Sequence, residues 1–209
     1  MEPIRVLLAN SHPLIRNNLR LLLEREQDFL IVGEAANGRE AVVLTDYRHP
    51  DVVLLDIHLP YVDGLAAARE ISSRNKRAGI VFVTANPDLE YASESFKAGG
   101  RGYVLADSAQ VELARAVRVV ARGGSFLSPI IAAQLIEDYE RRHLGDEKRT
   151  SVRDRQLVRL LAEGYDEGEI ARHLNSCVEF IRHDCQNVKR LLLEAGMPEI
   201  TQHARSRVT

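Results

Sequence analysis

Two spacings of apolar residues alternate along the first part of the chain. Ile4-Arg5-Val6-Leu7-Leu8-Ala9 reads as a buried strand. Ile15, Leu19, Leu22 and Leu23 then recur at helical spacing, with Arg16, Arg20 and Glu24 between them. The pair of signals repeats. Phe29 to Gly33 is a second strand, and Gly38 to Tyr47 is a helix that His49-Pro50 breaks. Asp51 to Asp56 is a third strand, apolar on both faces, and Gly64 to Arg74 a helix. Gly79 to Thr84, Asp88 to Lys97, Gly102 to Leu105 and Ala109 to Arg122 give a strand, a helix, a short strand and a fifth helix. Strands without polar alternation, interleaved with amphipathic helices, predict a five-stranded parallel sheet with helices on both faces. Such a sheet gathers its site at the carboxyl ends of its strands. Those ends are Ala9-Asn10-Ser11, Asp56-Ile57-His58, Thr84-Ala85-Asn86 and Ala106-Asp107.

Gly123-Gly124-Ser125 ends this block. Pro129 to Arg142 reads as one amphipathic helix with Ile131, Leu135, Ile136 and Tyr139 on one side, and the polar stretch Leu144 to Arg149 as a linker. From Ser151 onward strand patterns vanish. Ser151 with Asp154 resembles a capping box for a helix that stops at Gly164. Asp166 with Glu169 repeats the signal for a short helix ending near Asn175. Ser176 with Glu179 opens a long one, whose apolar stripe is Val178, Ile181, Cys185, Val188 and Leu192. Gly196-Met197-Pro198 breaks it, ahead of a last short helix.

Composition narrows the class. The chain has 209 residues, is 45% hydrophobic and carries 28 Lys+Arg against 30 Asp+Glu. That supports a real core, and no apolar run approaches the ~18 residues of a membrane span. MEPIRVLLANSHP lacks the pattern of a signal peptide. Cys177 and Cys185 form no disulfide framework, and eight residues apart on one helix they are too distant to bridge. The expectation is a cytoplasmic globular protein. Residues 148–209 carry 11 basic and 9 acidic side chains, a balance that permits nucleic-acid binding without demanding it.

The stretches SHPLIRNNLRLLLE, IVGEAANGREAV, PDVVLLDIHLPYVDGL, FKAGGRGYVLAD and ARGGSFLSP resemble the receiver domain of two-component response regulators, the NarL/FixJ subfamily in particular. VRDRQLVRLLAEGYDEGEIARHL with the helix after it resembles the LuxR-type helix-turn-helix of that subfamily. The resemblance implies a flavodoxin-like α/β receiver at 1–124, a linker with a helix at 125–149, and a small all-α helix-turn-helix domain at 150–209. It implies a phosphoacceptor position at Asp56 and switch positions at Thr84 and Tyr103. The acidic pair that joins the aspartate in holding Mg²⁺ falls on Asn10 and Ser11, and the lysine that pairs with phosphoryl oxygens falls on Ala106. Three charged groups are therefore missing from an otherwise intact scaffold. Developing negative charge has no evident partner, so Mg²⁺ and ordinary phosphoryl transfer are not expected.

In the long helix, Arg182, His183, Gln186 and Asn187 project away from the apolar stripe, with Lys189 and Arg190 further along. Arg grips guanine and Gln adenine in the major groove, while Lys and Arg favour phosphates. By resemblance, the base-reading positions are Arg182, His183 and Gln186. Phe180 stands where a Thr is usual, Asp184 where a His is usual, and Cys185 replaces a commonly basic residue. Blander roles stay open. Asp56 caps a strand end, Thr84 and Tyr103 are packing, His12 and His58 are surface histidines, and the helix is a solvated face or a protein contact.

The expectation is a DNA-binding transcription regulator, not an enzyme, without cofactor or metal. It binds double-stranded DNA as a homodimer, and its receiver serves dimerisation or senses a ligand or partner. The alternatives are a regulator switched at Asp56 by a histidine kinase, and an adaptor that has lost DNA binding.

Overall fold

The structure is a computed structural model that describes residues 2–143 and 152–194. The sheet-bearing part of the chain runs β1 (Ile4–Ala9), α1 (Pro13–Glu24), β2 (Phe29–Ala35), α2 (Gly38–Arg48), β3 (Val52–Leu55), α3 (Gly64–Arg74), β4 (Gly79–Thr84), α4 (Leu89–Lys97), β5 (Gly102–Leu105), α5 (Ala109–Ala121) and β6 (Phe126–Leu127). The strands lie in the order β2-β1-β3-β4-β5-β6, and every paired neighbour is parallel. Alternation along the strands splits the core into two layers. Leu7, Val53, Leu55, Ile80 and Phe82 pack with Ala41, Ala67, Ile71 and Phe96 of α2, α3 and α4. Val6, Leu8, Leu54, Val81 and Val104 pack with Leu19, Leu23, Leu113 and Val117 of α1 and α5. That double coverage is why β3, β4 and β5 are buried at every position. In α1, Ile15 faces outward at 40% exposure, and Leu19 and Leu23 carry the buried stripe.

The sheet has six strands rather than the five expected. Gly123, at φ +83°, turns the chain after α5. The Phe126 and Ser128 N–H groups then donate to the carbonyls of Arg101 and Tyr103 at 2.8 and 2.9 Å. Phe126 and Leu127 are fully buried. Two residues are too few for alternation to register in a sequence, so pairing alone reveals this strand.

Beyond the sheet come α6 (Pro129–His143), α7 (Val152–Ala162), α8 (Glu167–His173) and α9 (Val178–Glu194). Gly164 sits at φ +77° where the sequence predicts a helix stop. The Asp166–Glu169 capping box forms as expected, with both reciprocal hydrogen bonds present. Ile131, Leu135 and Ile136 of α6 join Leu157, Val158 and Leu161 of α7 in the core layer that includes α4. A polar clamp adds to this. Arg115 of α5 donates from Nε to the Glu163 carbonyl at 3.0 Å and from Nη1 to the Tyr165 hydroxyl at 2.6 Å. Its guanidinium carbon lies 3.7 Å from the centre of the Tyr165 ring, a cation–π contact. Among the described residues no helix is long and apolar enough to cross a membrane.

The polar stretch 144–149, Ser151 of the first capping box, and the break at 196–198 with its following helix lie outside the described residues. So do the side chains of Tyr139 and Leu192.

Gly64 fixes the distance between α3 and the end of β3. Its N–H donates to the Ile57 carbonyl at 2.8 Å, and a Cβ there would stand 2.0 Å from the Asp56 carbonyl oxygen. Gly64→Ala must push that loop away. We expect a loss of about 1–3 kcal/mol, the usual range for overpacking, read as a lower urea midpoint. An unchanged midpoint would mean that the loop yields freely.

Candidate functional site

The parallel sheet brings Asn10, Asp56, Thr84 and Ala106 to one edge, each at or just past the end of its strand. Asp56 is half-buried there, its N–H donating to the Ala9 carbonyl at 2.9 Å. The Asn10 amide nitrogen donates to Asp56 Oδ2 at 2.9 Å, and the His58 N–H donates to Asp56 Oδ1 at 3.2 Å. Asn10 is almost wholly buried, and its amide orientation is set from the other side. Its Oδ1 accepts the His12 N–H at 2.8 Å, which leaves Nδ2 for the carboxylate. Arg16 Nη1 donates to the Asn10 carbonyl at 2.6 Å while its Nε pairs with Glu34 at 2.9 Å.

Burial pushes the Asp56 carboxyl above its ordinary range, against the pull of the His58 N–H and the His58 and His12 imidazoles. Ala106 lies half-exposed in a single 3-10 turn after β5 and presents only a methyl. Ser11 is half-exposed beside Asn10. Thr84 is buried, and its hydroxyl accepts the Asn86 N–H at 3.2 Å. Tyr103 is fully buried and donates its hydroxyl to the Asn86 carbonyl at 2.8 Å. Its phenol is pushed well up by burial. Thr84 and Tyr103 thus hold the same loop after β4.

On α9, Ile181, Cys185 and Val188 are buried, as the stripe predicts. Val178, expected on that stripe, is 38% exposed. It is the first residue of the helix, where no preceding turn covers it. Arg182, His183 and Gln186 are exposed. The side chains of Asn187, Lys189 and Arg190 lie outside what the structure describes. Two ion pairs on this surface escaped sequence reasoning. Arg182 Nε lies 3.1 Å from Glu167 Oε2, and Arg153 Nε lies 2.9 Å from Asp184 Oδ2. Both cross between helices, so no fixed sequence spacing signals them. Arg16 was also missed. Its helical position marks it as a solvated charge, and only the β1–α1 turn brings it under Asn10.

The raised Asp56 carboxyl has a consequence for stability. The folded state binds its proton more readily than the unfolded state, so stability from this group falls as pH rises from the ordinary value of 3.8 upward. In Asp56→Asn that slope is absent. The urea midpoint of the variant should gain on wild type as pH rises through that window and then level off. A variant that loses ground to wild type as pH rises would contradict the raised value.

Residues 6–118 match the response regulator receiver domain family. Over 178 residues the chain is 30% identical to the nitrate/nitrite response regulator protein NarL of Escherichia coli strain K12, covering 83% of this chain and 82% of that protein. It is similar to the crystal structure of a LuxR-family two-component response regulator from Aurantimonas sp. SI85-9A1. That match has a TM-score of 0.63 and 34% identity, across 66% of this chain and 98% of the other. The RcsB response regulator of Salmonella typhimurium shares the fold at 23% identity and a TM-score of 0.61, over 94% of this chain and 97% of its own. The match to NarL and the receiver family on one side, and the six-stranded parallel sheet followed by α7, α8 and α9 on the other, agree: the chain belongs to the response regulators, of the NarL/FixJ type.

Proposed function

We propose that this protein is a DNA-binding transcription regulator whose receiver works without phosphoryl transfer. Residues 150–209 bind a two-fold DNA site in a homodimer, and the receiver serves dimerisation or senses a ligand or partner. The reading rests above all on the Asn10 amide, which donates to Asp56 at 2.9 Å. A position that would offer Mg²⁺ an oxygen offers the carboxylate a proton instead. Mg²⁺ demands several oxygen ligands in near-octahedral order. One carboxylate, a serine hydroxyl and an amide turned donor-first do not fit it. Position 106 adds no cation to meet phosphoryl oxygens. Exposure of Arg182, His183 and Gln186 on the outer face of α9 supports the DNA-binding part.

A second reading keeps Asp56 as a phosphoacceptor. It draws on the half-buried carboxylate at the strand end, with Thr84 and Tyr103 both holding the neighbouring loop. Binding of the full-length protein to the DNA upstream of its own reading frame, with and without acetyl phosphate and Mg²⁺, separates the two. We expect specific retention that the phosphodonor leaves unchanged, and no saturable response of tyrosine fluorescence to millimolar Mg²⁺. Phosphodonor-dependent affinity would establish the second reading. Salt-insensitive or absent retention would favour an adaptor that no longer binds DNA.

Arg182→Ala should weaken specific binding by about 1–3 kcal/mol, the worth of one bidentate base contact, with random duplex less affected. Lys189→Ala should instead weaken specific and random duplexes alike and lower the salt dependence. Binding isotherms on both duplexes at two salt concentrations check this. Equal affinities of wild type and Arg182→Ala on the specific site would remove Arg182 from base reading.

A further inference from the structure

We propose that Phe180 is a specificity-determining side chain that reads the C5 methyl group of a thymine in the major groove. The inference rests on the DNA-binding reading and deepens it.

Phe180 is the third residue of α9 and is 67% exposed. Burial of Ile181, Cys185 and Val188 fixes the rotation of the helix and leaves Phe180 off the buried stripe. A recognition helix presents its N-terminal residues to base edges, and Phe180 sits in that first turn. His183, one turn on, is exposed beside it. Asp184, also one turn on, is drawn to Arg153 at 2.9 Å, which offsets its negative charge. Arg182 is drawn to Glu167 at 3.1 Å. The first turn therefore presents an aromatic side chain among polar ones, next to the exposed Glu179, with Asp184 and Arg182 held in ion pairs.

The chemistry of the groove then selects the ligand. Base edges in the major groove are hydrogen-bond donors and acceptors, except for the thymine C5 methyl, and apolar side chains, Phe among them, meet that methyl. A protein anchor would want a contiguous apolar patch. The other exposed apolar residue of this turn, Val178, lies two positions away, and residues so spaced do not share a helix face. His183 and Asp184, which do share it, are polar.

The test uses the full-length protein and tight-binding duplexes selected from a random pool. Each thymine of a selected duplex is replaced in turn by deoxyuridine, which removes the methyl and nothing else. For wild type we expect one thymine per half-site whose replacement weakens binding about three- to fivefold, the effect of losing one buried carbon. Phe180→Ala should be weaker on the thymine duplex and indifferent to that replacement, while Phe180→Leu should keep part of the sensitivity. Circular dichroism of both variants should match wild type, since the side chain is exposed. If wild type and Phe180→Ala respond alike at every thymine while both bind specifically, Phe180 is not the reader and DNA binding stands. If no duplex is retained above random sequence, both readings fall. Retention of a protein partner that Phe180→Ala alone abolishes, without any thymine dependence, would assign the ring to a protein contact instead.

Discussion

Asn10 is the point on which the candidate site depends. Its N–H donates to Ala35 in β2, its carbonyl accepts from Arg16 in α1, its Oδ1 accepts from His12, and its Nδ2 donates to Asp56 after β3. A buried polar group without a partner is costly, so each contact constrains the others. The amide cannot turn to present oxygen toward Asp56 without orphaning the His12 N–H and setting two acceptors against each other. A carboxylate at position 10 would do the same to Asp56 unless a cation stood between them. Here position 10 is a neutral amide, and its hydrogen bond to Asp56 is held in place by the His12 N–H.

That neutral amide sets the electrostatics of the edge. Burial raises the Asp56 carboxyl, and the groups that oppose the rise are neighbouring N–H donors and two histidines. A phosphoryl group placed there would add charge where Ala106 offers only a methyl. Thr84 and Tyr103 both hold Asn86. That arrangement needs no phosphoryl group, and with Tyr103 fully buried it fills the space beneath the loop. The strand ends are thus tied together by their own hydrogen bonds.

Much of this was legible in the chain. Unbroken apolar strands such as Val52 to Leu55 announced a sheet buried on both faces, and Asp166 with Glu169 announced a helix start that forms as written. These signals are local and periodic. The positions of Asn10, Asp56, Thr84 and Ala106 at the strand ends were legible because the strand pattern places them there. What escaped has no period. Phe126–Leu127 is too short to alternate, and Arg16 becomes part of the site only through the turn after β1. The donor-first orientation of Asn10 follows from the backbone of His12, which no residue type encodes. Val178 went astray because a stripe says nothing about whether a neighbouring turn exists to cover it.

The same distinction explains how the C-terminal helices are held. Apolar residues of α6 and α7 continue the core layer of α4, but that contact alone leaves the turn after α7 without a fixed place against α5. Arg115 supplies one by gripping a carbonyl, a hydroxyl and an aromatic face within that turn. Gly164 is tight on the same helix, where a Cβ would stand 2.5 Å from Val119. Guanidinium geometry suits this task, since its planar fork donates in fixed directions while its face stacks. The clamp engages Glu163 and Tyr165, which precede α8, and leaves the outer face of α9 exposed. Contact with α5 and access to Arg182, His183 and Gln186 are therefore compatible in one arrangement.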